Sequence, residues 1–463
     1  MKKTTLMLFA AAALVSMGTA CKKEHQAPEA GRRAVTAGPY TLCQDTVGKV
    51  TLTGVLTNRT LSSDTVYYLS GLVYVTGNIT IEPGTFVRGL PGSAGNPGGG
   101  LIVTKSGFID ARGTETCPII FTSAKHGTGA NAPAPGDWAG VVILGEATHN
   151  KGNGSIIEGI SSNPPADATY GGNNDADNSG YLHYVRIEYA GYELNTDNEL
   201  NGLTLGAVGS GTSIHHVEVY KANDDAFEFF GGTVNASYLI AIDPLDDMFD
   251  FDNGYRGTID YALGVSDPNR ADKSQSNGIE LDNHSTGDSL KPITRPVLNH
   301  FTIVGQPSAA AASITNGAPS STGRYGRTAH LRRAGAFNIS NSVFLGLNYG
   351  LSIDSVASVS TAKWGISQYW YTLGVSSLSN NAVHAYVLPY AQERNGAAYY
   401  AFTPAAGNTA YTTSNPNANI LLLDPFGRFD LHDFEAVTGG AAQLKGAGAV
   451  PVGATWVDTW TIY

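Results

Sequence analysis

The 463-residue chain carries 28 Lys and Arg against 39 Asp and Glu, a formal net charge of −11. Nucleic-acid binding needs a basic stripe to meet phosphate, so this balance argues against a nucleic-acid partner. Only 14% of residues are charged and 56 are Gly, which suits many short strands joined by turns and disfavours long charged helices.

Lys2 and Lys3 precede an apolar stretch, Leu6 to Val15, too short to span a bilayer. Gly18, Thr19 and Ala20 are small and lead to Cys21. The segment resembles the lipobox of bacterial lipoproteins, with Gly18 where leucine is usual. That resemblance implies a signal peptide over residues 1–20 and acylation of Cys21. Acyl burial stabilises by ~0.8 kcal/mol per methylene, so several chains make a firm membrane anchor. Residue 22 is Lys rather than Asp, which among lipoproteins resembles outer-membrane sorting. Lys22, Lys23 and Glu24 are similar to the charged tags of surface-exported lipoproteins. The expected location is the outer membrane, facing the cell surface. Residues 21–40 are polar, with Pro and Gly, and read as a tether. Of the two remaining cysteines, Cys43 and Cys117, the sequence allows either a disulfide across a long loop or two separate thiols.

Strand-like segments recur from about residue 41 onward. Val217–Val219, Leu239–Ala241 and Tyr261–Leu263 align at steps of 22 residues, and Phe227–Phe229 repeats at Phe249–Phe251 with the same step. Val185–Ile187, Leu203–Leu205, Ile279–Leu281, Phe301–Ile303, Val343–Leu345 and Leu351–Ile353 are further copies separated by inserted loops. Each places apolar residues at alternate positions, as a strand buried on one face requires. A fixed short period without intervening helices predicts an all-β solenoid, the right-handed parallel β-helix, over residues 41–365. A β-propeller needs blades of about 40–45 residues and fits the step poorly. Residues 366–463 are less periodic and are expected to supply the last coils and a cap, with Asp424–Glu435 as a short helix or loop closing the end.

Looser coils precede the periodic block: Ile79–Thr85, Leu101–Val103, Pro118–Ser123 and Gly136–Ile143. Together with Tyr184–Tyr189, Asp224–Val234 and Phe249–Arg256, they resemble a family of Bacteroidetes and proteobacterial surface proteins with a pectin-lyase-like β-helix. The resemblance covers about residues 50–360, and Trp456–Tyr463 is similar to the family's terminal strand. It implies fold and location, and little about chemistry.

The candidate chemistry lies where acids recur on successive coils. Asp224 and Asp225 precede Phe227, and Asp246 and Asp247 precede Phe249. Glu228, Asp250 and Glu280 share one outward column; Asp252 and Asp282 share the next. Stacked coils bring such carboxylates within about 5 Å of one another, where like charges raise pKa values unless a cation compensates. Three readings compete. Ca²⁺ among Asp224, Asp225, Asp246 and Asp247 suits hard oxygen donors. A polysaccharide-cleaving site is similar to the paired aspartates of polygalacturonase-type glycosidases, which makes Asp225 and Asp246 or Asp247 the acid and base. The departures are the absence of a Gly-His-Gly coil and of an Arg-x-Lys beyond it. In the third reading the Asp residues cap turns. His215-His216 is expected to point its side chains to opposite faces. Tyr181, Tyr184, Tyr189, Tyr192 and Trp138 offer either sugar-stacking surface or packing. The balance favours a non-enzymatic glycan-binding or scaffold role, with a membrane anchor and a polysaccharide or another envelope protein as partner. A hydrolase or lyase is the alternative.

Overall fold

The strands close into a three-sided coil because their inward positions are apolar and their corners carry residues able to leave the extended conformation. In the computed structural model the described residues are 43, 46–93, 98–126, 132–160, 164–195, 198–286, 290–355, 366–394 and 398–462. The expected signal peptide, Cys21 and the expected tether lie outside them. No helix among the described residues is long and apolar enough to cross a membrane.

One coil shows the plan. Strand Ser213–Tyr220 contributes Ser213–His215 to a first sheet, turns at His216, and contributes Val217–Tyr220 to a second. Strand Phe227–Phe230 then forms a third side. Neighbouring coils pair in parallel: Ser213 with Asn235, Val217 with Leu239, Phe227 with Phe249. Antiparallel pairing among the named strands is confined to two short hairpins, Glu193–Asn195 with Asn198–Glu199 and Ala382–Arg394 with Ala398–Ala401. The interior is a column of stacked apolar side chains. Phe227 lies on Phe249 at 5.3 Å and Phe229 on Phe251 at 5.0 Å, all fully buried. Offset aromatic pairs of this kind add about 0.5–1.5 kcal/mol to their area burial.

The corner between the first and second sheets is a ladder. Tyr184, His216, Tyr238, Tyr261 and His300 all take left-handed φ values between 49° and 57°, and Asn341 follows at 49°. For a non-glycine residue that conformation costs on the order of 1–2 kcal/mol. Ring stacking offsets it: consecutive rings from Tyr184 to His300 lie 4.4, 4.5, 5.3 and 4.5 Å apart. The ladder corrects the expected alignment of Tyr261 with Leu239, which pairs with Ala262 instead. The turn from Asp252 to Thr258 holds one residue more than the turn from Phe230 to Asn235. Tyr255 in that turn is fully buried, stacks on Phe251 and donates its hydroxyl to the Val234 carbonyl at 2.8 Å. A similar slip moves Val343 opposite Thr302, so Phe344 points inward while Val343 and Leu345 face outward. His215 and His216 do not diverge either. The left-handed corner breaks the alternation, and their Nδ1 atoms lie 2.9 Å apart.

The outward face of the second sheet is unusually apolar: Ile240, Ile242, Leu263, Val265, Val304, Val343 and Leu345 are buried there. Residues 420–462 cover them, running along the flank of the stack and not across its end. Ala449 donates its N–H to Thr302, Arg428 pairs with Asp243, Trp460 packs on Tyr184 and His216, and Ile462 donates to Glu218 Oε2 at 2.9 Å. Asp424–Glu435, expected at the end, belongs to this strap; Leu431–Phe434 is one 3₁₀ turn with Leu431 and Phe434 buried. Near the other end, Cys43 and Cys117 form a disulfide with α-carbons 5.7 Å apart.

Candidate carboxylate and cation site

The acids gather on the third side of the coil. In register, Thr204, Glu228, Asp250, Glu280 and His330 form one outward column, and Asp252 stands one pleat further along its strand from Asp250. The turn entering each third-side strand carries Asp224-Asp225 and Asp246-Asp247.

Within those pairs the two residues do different work. Asp225 accepts the backbone N–H of Asp247 at 2.8 Å, and Asp247 accepts that of Asn277. The same slot one coil earlier is Asn201, which accepts the N–H of Asp225 at 3.1 Å; one coil later it is Asn277, which accepts that of Arg327 at 2.9 Å. The slot therefore asks for an acceptor oxygen, as the turn-capping reading expects, and not for charge. Asp225 and Asp247 spend one oxygen each on it.

The remaining oxygens converge. Asp224, Asp225 and Asp246 offer carboxylate oxygens all within 4.8 Å of one another, and so do Asp225, Glu228 and Asp250. Asp247 falls outside both groups. Glu228 and Asp250 are the functional candidates that sequence reasoning placed in a column without assigning a role. Burial, then Asp246 and further acids including Glu199, Glu158 and Asp272, pushes the Asp224 carboxyl well up. Asp225, Glu228, Asp246 and Asp250 are raised in the same way, by burial first and by neighbouring acids after it. Glu158, Glu199 and Asp272 come from insertions, where periodicity gives no warning of them.

Direct ion pairs hold the Glu280–Asp282 end of this field. Arg332 pairs with both Glu280 and Asp282, the latter at 2.9 Å, and Arg333 pairs with Asp282 at 2.7 Å. Burial works to raise the Glu280 pKa, but His330, Arg332 and Arg333 overcome it and bring it to about 2. Arg256 instead pairs with Asp175 at 2.9 Å. The crowding of Asp224, Asp225 and Asp246 favours protons or a cation among them. Asp246 Oδ1 and Asp250 Oδ1 are buried without a hydrogen-bond partner, and so is the hydroxyl of Thr204, a fully buried residue beside Glu228. Hard oxygens in such numbers fit Ca²⁺, which takes six to eight of them. Asp224, Asp225 and Asp246, with Glu228 and Asp250 adjoining, are the residues that would hold it. The ion would neutralise the cluster and offer open positions to sugar hydroxyls or carboxylates.

Two other readings of single residues resolve simply. Trp138 is fully buried and donates its indole N–H to the Glu188 carbonyl at 2.8 Å, so it is core. Tyr184 is a rung of the corner ladder.

Fold and site together define a right-handed parallel β-helix with a carboxylate-lined face. Residues 53–412 match the family described as pectate-lyase like beta helix domain, and the chain belongs to that family. No curated protein and no solved structure matches it.

Proposed function

We propose that this protein is an outer-membrane-anchored, surface-exposed β-helix that binds glycan over its carboxylate face, with Ca²⁺ held among Asp224, Asp225 and Asp246. The observation that carries the reading is the acid cluster, Asp224, Asp225 and Asp246 with oxygens within 4.8 Å of one another, in which Asp246 Oδ1 is buried without a hydrogen-bond partner. The family description points to carbohydrate, and the lipobox-like segment ending at Cys21 supports the anchor. A rigid solenoid face presents regularly spaced groups to an extended chain, with like positions ~4.8 Å apart.

The second reading, polysaccharide cleavage, is favoured by one observation. Burial, then Asp282, pushes the Asp252 carboxyl up to about 7, which suits a general acid at neutral pH. Affinity electrophoresis against acidic and neutral polysaccharides, with Ca²⁺ or EDTA, tests both. Retardation that needs Ca²⁺ and falls at least about tenfold in Asp246→Asn, without new reducing or unsaturated ends, is the expected result. Cleavage abolished by Asp252→Asn would install the enzyme reading. No retardation by any polysaccharide in either condition would remove glycan binding.

A further inference from the structure

We propose that Ser213, His183 and Asn235 form a hydrolytic site for acyl esters, of the kind carried as O-acetyl groups on polysaccharides. It lies on the first sheet, not the carboxylate side, and does not depend on the cation.

Ser213 Oγ and His183 Nε2 lie 2.9 Å apart, on neighbouring strands. That is the separation of a nucleophile from its base. The imidazole is held in plane by packing: His215 stacks on it at 3.8 Å and Tyr181 meets its edge at 5.7 Å. Burial, then His215 and Arg112, holds the His183 pKa down to about 4, so the ring is neutral at pH 7 and its Nε2 lone pair is available to the Ser213 hydroxyl, as a weak base. On the other side of Ser213, Asn235 occupies the paired position of the next strand. Its carbonyl oxygen accepts the Thr258 N–H at 2.8 Å, which fixes the amide group and leaves its N–H donors for an oxyanion. An open pocket of about 590 Å³ lies over Ser213 and Asn235, lined also by His215, Ser237, Thr258 and Asp260, with His183 on the strand at its border. Such a shallow, open site on a flat sheet suits an ester displayed on a long chain better than a small free ester.

The chemistry closes. Ser213 Oγ attacks the ester carbonyl carbon while its proton passes to His183 Nε2. The Asn235 amide donates to the carbonyl oxygen as negative charge develops there. The bond from that carbon to the sugar oxygen breaks, and His183 returns its proton to the departing oxygen. Water, deprotonated by His183, then attacks the acyl-serine, releases the carboxylic acid and restores Ser213.

The purified protein is assayed with 4-nitrophenyl acetate and with acetylated xylan, and separately treated with a fluorophosphonate probe. Expected are acetate release insensitive to EDTA, a probe adduct on Ser213, and a loss of about 100-fold in Ser213→Ala and in Asn235→Ala. Imidazoles hydrolyse nitrophenyl esters unaided, so Ser213→Ala, which keeps His183, sets the background. Equal rates in wild type and Ser213→Ala, or no adduct on wild-type Ser213, overturns the proposal. The adduct is read on the wild-type protein, so it does not depend on any variant folding.

Discussion

Replacing Arg332 with alanine lowers stability by about 3–5 kcal/mol, the range for stripping the partner from a buried charge. Arg332 bridges Glu280 and Asp282 across adjacent coils, and Asp282 is only 4% exposed. Removing the guanidinium leaves two carboxylates facing Asp250 and Asp252, with Arg333 on Asp282 and His330 on Glu280 as their remaining basic neighbours. Arg333→Ala costs less, about 1 kcal/mol, because that side chain is more exposed and touches Asp282 alone. Arg332→Lys recovers only part of the loss, since a single ammonium does not reproduce the two-sided fork. Chemical denaturation of the three variants side by side gives the ranking. Equal, small losses would mean that the acidic column is neutralised by something other than Arg332.

Without divalent cation, the protein loses stability as pH rises from 4 to 7. The raised acids of the stripped cluster contribute to this, and two carboxyls outside the cluster add to it. Glu218 is fully buried beneath the strap, and burial, with Glu188 adding repulsion, raises its pKa to about 7 against the opposing Arg186. Asp354 is raised to about 7, by burial first, although it accepts the N–H groups of Arg333 and Ser367. A raised folded-state pKa means the folded protein binds the proton more tightly than the unfolded chain. The stabilisation is complete below the unfolded pKa near 4 and disappears as pH climbs through 7. Shifts of this size are worth on the order of 3 kcal/mol per group. Glu218→Gln keeps the acceptor for the Ile462 N–H while removing the charge, so it makes the profile less steep and is more stable than wild type at pH 8. Melting curves at pH 4.5, 6 and 8 in EDTA read this directly. A wild-type melting temperature that rises over that range, or a Glu218→Gln profile identical to wild type, would contradict the raised Glu218 pKa.

The sequence made the coil readable because inward residues obey a strict alternation and a repeating step, and Phe227 over Phe249 is the plainest instance. It misplaced Tyr261 by one residue, because a single insertion such as Tyr255 shifts the phase without altering composition. Val343 slipped for a related reason: an apolar residue under the strap looks the same in sequence as one in the core, and nothing local announces that residues 420–462 cover an outer face. The aspartate pairs were visible as a repeat. Their division of labour was not, because whether a side chain caps the next coil or joins the acid cluster depends on the coil above it. Asn201 and Asn277 carried the clue, occupying the slot of Asp225 and Asp247 with an uncharged acceptor. Glu158, Glu199 and Asp272 reach the cluster from loops, which no periodicity predicts.

The most direct test of the account is calorimetric titration of the EDTA-stripped protein with Ca²⁺, beside Asp225→Asn and Asp246→Asn. Asp225→Asn keeps the oxygen that accepts the Asp247 N–H, so it folds and isolates the loss of charge. The account predicts saturable binding in the wild type, a rise in melting temperature on loading, and binding weakened at least about tenfold in both variants. Wild-type protein that takes up no Ca²⁺, or variants that bind as the wild type does, would contradict it, and the cluster would then be an acidic face kept neutral by protons.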